Sequence, residues 1–170
     1  PEATAAAIDP DGWFHTGDAG YLKEDHLYLT ERIKDLFKTS NGKYISPQVL
    51  ETKLAIDRYI DQIAIIADER KFVSALIVPV YGLVKDYAKE KGIAYGNMEE
   101  LLQHPKIQAL FRARIDTLQQ QFAHYEQVKR FTLLSEPFSM ERGELTNTLK
   151  LKRPVVAKNY KEQIDKMYEE

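Results

Sequence analysis

Two stretches of this sequence hold side chains whose types could engage a ribose or a phosphate, and a third is rich in basic residues. The first is Asp11-Gly12-Trp13-Phe14-His15-Thr16-Gly17-Asp18. A carboxylate set behind a glycine in a tight turn can accept two hydrogen bonds from a ribose diol. Read alone, Thr16-Gly17-Asp18 is an ordinary turn, and the Gly-Trp-Phe-His context before it reverses the balance. The second stretch is Glu31-Arg32-Ile33-Lys34-Asp35. The planar guanidinium of Arg32 can donate two parallel bonds to ribose hydroxyls or phosphate oxygens, which a lysine cannot do. The competing reading is a surface arginine ion-paired with Glu31 or Asp35. The third stretch is Gly143-Glu144-Leu145-Thr146-Asn147-Thr148-Leu149-Lys150-Leu151-Lys152-Arg153, which by itself reads as a solvated basic run.

Other chemistries are excluded. Asn41-Gly42-Lys43-Tyr44 lacks the GxxxxGK[ST] spacing of a phosphate-binding loop. No GxSxG elbow supports a serine hydrolase, and His15, His26, His104 and His124 are too scattered for a local metal site. Without cysteine there is no disulfide framework, thiolate metal site or cysteine nucleophile, in keeping with a reducing cytoplasm. A net charge of −2 over 170 residues gives no global pull toward nucleic acid. No apolar run approaches the roughly 18 residues needed to span a bilayer.

The elements that must hold these residues read as α+β: a small mixed sheet flanked by helices, behind an N-terminal β-hairpin segment. Residues 1–8 form a short helix, ended by the Asp9-Pro10-Asp11-Gly12 turn. Strands over 19–24 and 26–30 meet around Asp25. Asn41-Gly42, between short apolar-containing runs, predicts a tight hairpin because both residues tolerate positive φ. Ser46 is placed to N-cap a helix with Pro47 at its first position. The runs 63–67 and 73–80 read as a buried hairpin around Asp68-Glu69-Arg70-Lys71. Helices follow over 81–91, from Asn97, and from about Pro105 to Gln121, the last with Ile107, Leu110, Phe111, Arg114, Ile115 and Leu118 on one side. A strand covers 131–134. One terminal helix starts at Pro154 and carries Val155, Val156, Tyr160, Ile164 and Met167. No internal repeat or low-complexity segment is present.

In this order, the three stretches resemble the C-terminal end of acyl-adenylate-forming enzymes, most closely the long-chain fatty acid–CoA ligases, nearly from end to end of the chain. The resemblance implies a two-domain parent. Residues 1–33 would be the tail end of the large AMP-binding domain, and residues 34–170 the mobile C-terminal lid, with Lys34 at the hinge between them. Many relatives carry aspartate there, and lysine is a variant of the long-chain group. The resemblance also implies that Asp18 and Arg32 hold the ribose and phosphate of ATP, then of the acyl-AMP. Lys150 would enter the active site for the first half-reaction and bridge the fatty acid carboxylate and the nucleotide. A fixed ammonium there offsets the repulsion between negative charges as the carboxylate attacks phosphorus. Thr146 and Thr148 would orient its loop. After the lid swings, Gly42, Lys43 and Tyr44 would line the channel for the CoA pantetheine, although a plain hairpin turn explains Lys43 and Tyr44 as well.

Two positions depart from the family pattern. Glu31 stands where relatives commonly have glycine before the arginine, and Leu149 stands where the usual pattern has glycine before the lysine. Long-chain ligases accept a larger residue at the second position. By the same resemblance, ATP and CoA are co-substrates and Mg²⁺ is bound by the upstream domain. The partners are the chain's own N-terminal domain, ATP or AMP, fatty acid and CoA. The opening Pro1-Glu2-Ala3-Thr4-Ala5 has no initiator Met and matches a stretch deep inside the family's polypeptide, so a fragment cut upstream of Pro1 is expected, inactive by itself. The expected location is cytoplasmic. In the terminal helix, Lys158, Lys161 and Lys166 against Val155, Val156 and Ile164 leave two readings open, packing on the domain or peripheral contact with an anionic membrane surface. Two other functional readings stand beside the ligase. An adenylation domain loading a carrier protein would share Asp18, Arg32 and Lys150, but the long helical span between Val80 and Phe131 favours the fatty-acyl group. A non-catalytic interaction module would carry the motifs without using them.

Overall fold

The structure, a computed structural model, describes Thr4 and residues 7–169, with the side chains of Thr30, Glu31 and Lys34 outside the description. Most of the helix expected over 1–8 therefore falls outside the described residues. The chain divides between Leu36 and Phe37 into two compact units.

The first unit is built on an antiparallel hairpin of β1 (Asp18–Lys23) and β2 (His26–Arg32). Its turn is Glu24-Asp25, with φ of 51° and 60°, the pair of left-handed residues that matches the twist of two-residue hairpins. A bulge after Ala19 brings Gly20 against β2, where a Cβ would lie 2.6 Å from the Tyr28 carbonyl oxygen, so only glycine fits. Tyr21 and Tyr28 stack across the strands at 5.2 Å between ring centroids. On the opposite face Leu22, Leu27 and Leu29 are exposed. A single turn of 3₁₀ helix, Ile33–Asp35, follows and contains the backbone of Lys34.

The second unit starts with the two-residue strands β3 (Phe37–Lys38) and β4 (Tyr44–Ile45), then α1 (Pro47–Leu54). A three-stranded mixed sheet follows in the order β5 (Ile60–Ile66), β6 (Val73–Pro79), β7 (Val128–Leu133). β5 pairs antiparallel with β6, giving the expected buried hairpin, and β6 pairs parallel with β7. A parallel return needs a long crossover, supplied by α2 (Tyr81–Glu90), α3 (Met98–Gln103) and α4 (Pro105–Leu118). Two short helices, α5 (Arg153–Asn159) and α6 (Lys161–Lys166), complete the unit.

Every residue of β6 is buried, because helices or loops cover both faces of the sheet. On one face Ile63, Ile65, Ala75 and Ile77 pack with Leu50, Leu54, Val84, Ile107, Phe111 and Ile115. On the other, Ala64, Leu76 and Val78 pack with Phe138, Leu145, Val156, Ile164 and Met167. The apolar side of the terminal helices is thus taken up by the domain itself. None of the helices among the described residues is long and apolar enough to cross a membrane.

Four expectations need correction. The Asn41-Gly42 turn is wider than a two-residue hairpin. Lys38 pairs with Tyr44, only Gly42 of the two takes positive φ (74°), and Gly42 N–H donates to Thr39 O at 2.8 Å. Ser46 occupies the N-cap position of α1 without capping it, and its buried Oγ has no partner among the described residues. The long helix stops at Leu118, because the Gln119 amide is taken by β7: Val128 N–H donates to Gln119 Oε1 at 2.8 Å. The terminal helix breaks at Tyr160, whose φ of −108° lets its ring turn edge-on to Phe138 at 5.6 Å.

Phe111 is fully buried and packs edge-on against Tyr59 at 6.1 Å. Phe111→Ala should cost about 3–5 kcal/mol, read as a lower urea midpoint with the slope of the transition unchanged.

Candidate functional site

In the first unit, strand pairing sets Asp18 opposite Arg32. Gly17 enters this pair with φ of 75°, and its carbonyl accepts the Ile33 N–H at 2.8 Å, which fastens the turn to the end of β2. Thr16 Oγ1 accepts the Asp18 N–H at 3.1 Å. The Arg32 Nε then donates to Asp18 Oδ1 at 2.9 Å. Arg32 is therefore partnered by Asp18 across the hairpin; the side chain of Glu31, one of its competing partners by sequence, lies outside the described residues. Both groups retain open surface, Arg32 being 67% and Asp18 25% exposed in their side chains.

In the second unit, the Gly42 hairpin is anchored at its base. Thr39 is buried, its Oγ1 accepting the Lys43 N–H at 3.1 Å. Ser40 N–H donates to Arg70 O at 3.0 Å and Glu69 N–H to Lys38 O at 2.9 Å, which ties the hairpin to the turn between β5 and β6. A Cβ on Gly42 would meet nothing within 4 Å, so the left-handed φ, not space, is what favours glycine there. Tyr44 is exposed, and the Lys43 ammonium sits 5.5 Å over the Tyr125 ring.

The third constellation is the loop between Glu144 and Lys152, which closes rung by rung. Lys152 N–H donates to Glu144 O at 2.7 Å, Leu145 bridges Leu151, and Thr146 N–H donates to Lys150 O at 2.8 Å. Thr146 Oγ1 accepts N–H groups from Lys150 at 3.0 Å and from Thr148 at 3.3 Å, and lies 3.0 Å from Thr148 Oγ1. Lys150 stands exposed at the end of this ladder. Before it, Leu149 adopts φ of 60° while its side chain is 67% exposed. The conformation explains why glycine suits this position, and leucine holds it at a cost of roughly 1–2 kcal/mol.

Three residues that the sequence reading passed over hold the loop in place. Glu144 is fully buried. Its carboxylate accepts bonds from Ser139 N–H at 2.9 Å, Arg142 Nε at 3.1 Å and Asn159 Nδ2 at 3.1 Å. Burial alone would push its pKa up, but the bonds from Arg142, Ser139 and Asn159 outweigh it and hold the group below its ordinary value. Arg153, read as one more member of a basic run, instead donates two bonds of 2.7 Å to the Glu51 carboxylate in α1. Its guanidinium also lies 5.4 Å over the Phe37 ring at the root of the Gly42 hairpin. Glu51 Oε1 further accepts the Ile65 N–H at 2.8 Å. Only the adjacency of Glu144 to Gly143 in the motif could have signalled its role; nothing local marks Glu51. A cleft of about 360 Å³ lies beside these contacts, with Phe37, Leu151 and Arg153 in its wall. Tyr81, pushed up to about 12 by burial and then by the Asp61 carboxylate, donates its hydroxyl to Leu134 O at 3.1 Å and serves the fold.

Among the described residues no group of three or more His, Asp or Glu side chains is placed to hold a metal ion. The side chain of Lys34, expected at the hinge, lies outside the described residues.

Residues 34–170 match the family model of the AMP-binding enzyme C-terminal domain, and the chain belongs to that family. Long chain acyl-CoA synthetase 7, peroxisomal, of Arabidopsis thaliana is 37% identical over 175 residues, covering 99% of this chain and 25% of the relative. Long-chain-fatty-acid–CoA ligase 1 of Homo sapiens is 33% identical over 172 residues, covering 99% of this chain and 24% of its own length. Among solved structures, the adenylation domain of a carboxylate reductase from Mycobacterium chelonae matches with a TM-score of 0.78 and 27% identity, over 99% of this chain and 25% of that one. The chain thus spans about a quarter of the length of the curated relatives it matches.

Leu149→Gly should stabilise the second unit by about 0.5–1 kcal/mol, the left-handed strain relieved less the added freedom of glycine in the unfolded chain. Leu149→Ala should give no such gain. Paired urea titrations of the two variants check this.

Proposed function

We propose that this chain is the C-terminal part of an ATP-dependent long-chain fatty acid–CoA ligase, its residues ahead of Lys34 belonging to the end of the AMP-binding domain and the rest forming a lid that turns about Lys34. The observation that carries the reading is Lys150, exposed at the end of a threonine-stapled loop, in a chain similar along its whole length to long-chain ligases.

In this reading the fatty acid carboxylate oxygen attacks the α-phosphorus of ATP. An acyl-AMP forms and the bond to pyrophosphate breaks. Lys150 offsets the charge that gathers between carboxylate and phosphate in that step. Asp18 and Arg32 hold the ribose and phosphate of the nucleotide, the ion pair between them keeping both groups aimed before substrate arrives. Thr146 and Thr148 fix the loop. The lid then turns, and the Gly42 hairpin, with Lys43 and Tyr44, faces the same centre. There the CoA sulfur attacks the acyl carbonyl, the thiol proton leaves and AMP is released. Mg²⁺ neutralises charge on the phosphates when bound; the reading assigns its ligands to the upstream domain, as it does the acyl tunnel. The isolated chain should accordingly bind nucleotide weakly and turn nothing over.

Likeness to a carboxylate reductase adenylation domain favours one second reading, in which the acyl group passes to a carrier protein. Thioester formation on free CoA, with no carrier protein present, separates the two.

In the complete ligase, Lys150→Ala should slow acyl-AMP formation about 100- to 1,000-fold and leave thioester formation from supplied acyl-AMP within about twofold. Gly42→Val should give the reverse pattern. Separate single-turnover assays of the half-reactions check both. Survival of both half-reactions in Lys150→Ala would leave only a solvated basic run, or an interaction module.

A further inference from the structure

The Glu144 carboxylate is the most enclosed ionisable group described in the second unit, and the functional reading above gives it nothing to do. Its side chain is 1% exposed. A buried ion pair is weak grounds for stability, because desolvation offsets most of the attraction and apolar residues of similar size often do as well. A buried charge is better explained by what it orders. Three donor groups converge here from two parts of the chain. Ser139 N–H at 2.9 Å and the Arg142 Nε at 3.1 Å come from the segment just before Glu144, and Asn159 Nδ2 at 3.1 Å comes from the end of α5, while the Arg142 Nη2 lies 3.1 Å away as an ion-pair partner. Both carboxylate oxygens are used. The Glu144 carbonyl, meanwhile, accepts the Lys152 N–H at 2.7 Å and so forms the first rung of the ladder that ends at Lys150. The side chain fixes the residue and the residue's backbone fixes the loop.

We infer that Glu144 is a positioning residue for acyl-AMP formation: its buried carboxylate locks the root of the loop, so that Lys150 is presented in one posture without searching for it. The inference rests on the proposed role of Lys150. The carboxylate touches no substrate and acts only through the ladder. Its geometry also explains the arrangement of the motif, since Gly143, with φ of 71°, turns the chain so that Glu144 points inward while the threonines two and four residues on line the loop. Glutamine in its place would keep the shape. It would set an amide N–H₂ against Arg142 or the Ser139 N–H, however, leaving one donor facing another.

The test has two parts. In the 170-residue chain, amide hydrogen exchange is compared between the parent sequence and Glu144→Gln. Exchange at Thr146, Lys150 and Lys152 should rise about tenfold or more while the β5 and β6 amides stay unchanged. In the complete ligase, Glu144→Gln should lower kcat for acyl-AMP formation about 10- to 100-fold, with KM for ATP and fatty acid and the thioester half-reaction within about twofold. A purely structural Glu144 would lower both half-reactions by one common factor, which overturns the inference, as would unchanged acyl-AMP formation. Should Glu144→Gln fail to fold, Asn159→Ala removes one donor and should give the same half-reaction split at smaller size; equal effects on the two half-reactions would again overturn the inference. Lys150→Ala run alongside separates the layers. If it slows acyl-AMP formation while Glu144→Gln leaves that step unchanged, the ligase reading stands and the Glu144 inference falls; if Lys150→Ala leaves acyl-AMP formation unchanged, the ligase reading itself falls and the inference with it.

Discussion

A central strand with no exposed residue constrains everything else in the second unit. Because β6 is buried on both faces, the chain must supply two separate layers to cover it, and each layer carries one of the loops to which the proposed mechanism assigns a role. The helical layer contains α1, whose entry strands hold the Gly42 hairpin. The opposite layer contains α5 and α6, and the Lys150 loop leads directly into them. Covering a sheet on both sides thus gives one small domain two separately anchored loops, each rooted in a different core cluster.

Those loops are joined at their roots. Arg153 leaves the Lys150 loop, bonds Glu51 of α1 through two contacts of 2.7 Å, and lies over Phe37 at the base of the hairpin. Bidentate guanidinium–carboxylate pairs hold orientation as well as distance. In the proposed mechanism this strap lets the lid turn as a body: swinging one loop away from the reacting centre carries the other toward it, without either changing shape. Leu149, beside the lysine, holds a left-handed φ that leucine adopts only at a cost, whereas Gly42 at the hairpin tip takes the same region freely.

Periodicity and turn chemistry made the architecture legible. The apolar runs of β5 and β6, the helix over 81–91 and the apolar face of α4 follow from local pattern, and the motif stretches carried Asp18, Arg32 and Lys150. What local pattern could not reach were contacts spanning long separations. Glu51 and Arg153 look like ordinary helix-surface charges until the fold brings them together, and Gln119 ends α4 early only because β7 needs its amide. Asn41-Gly42 has the composition of a two-residue turn, yet the anchoring of Thr39 widens it. Glu24-Asp25, without a glycine, forms the tight turn instead, because the Gly20 bulge and the Tyr21–Tyr28 stack set the strand register.

The central claim is that the two loops take turns at one reacting centre, and both carry an exposed amine, Lys43 and Lys150. The most direct measurement is the acetylation rate of these two lysines, read by mass spectrometry in the complete ligase in two states: loaded with fatty acid and a non-hydrolysable ATP analogue, or with an acyl-AMP analogue and CoA. The account predicts a reciprocal pattern, Lys150 protected and Lys43 reactive in the first state, Lys43 protected and Lys150 reactive in the second. The same pattern in both states would contradict it.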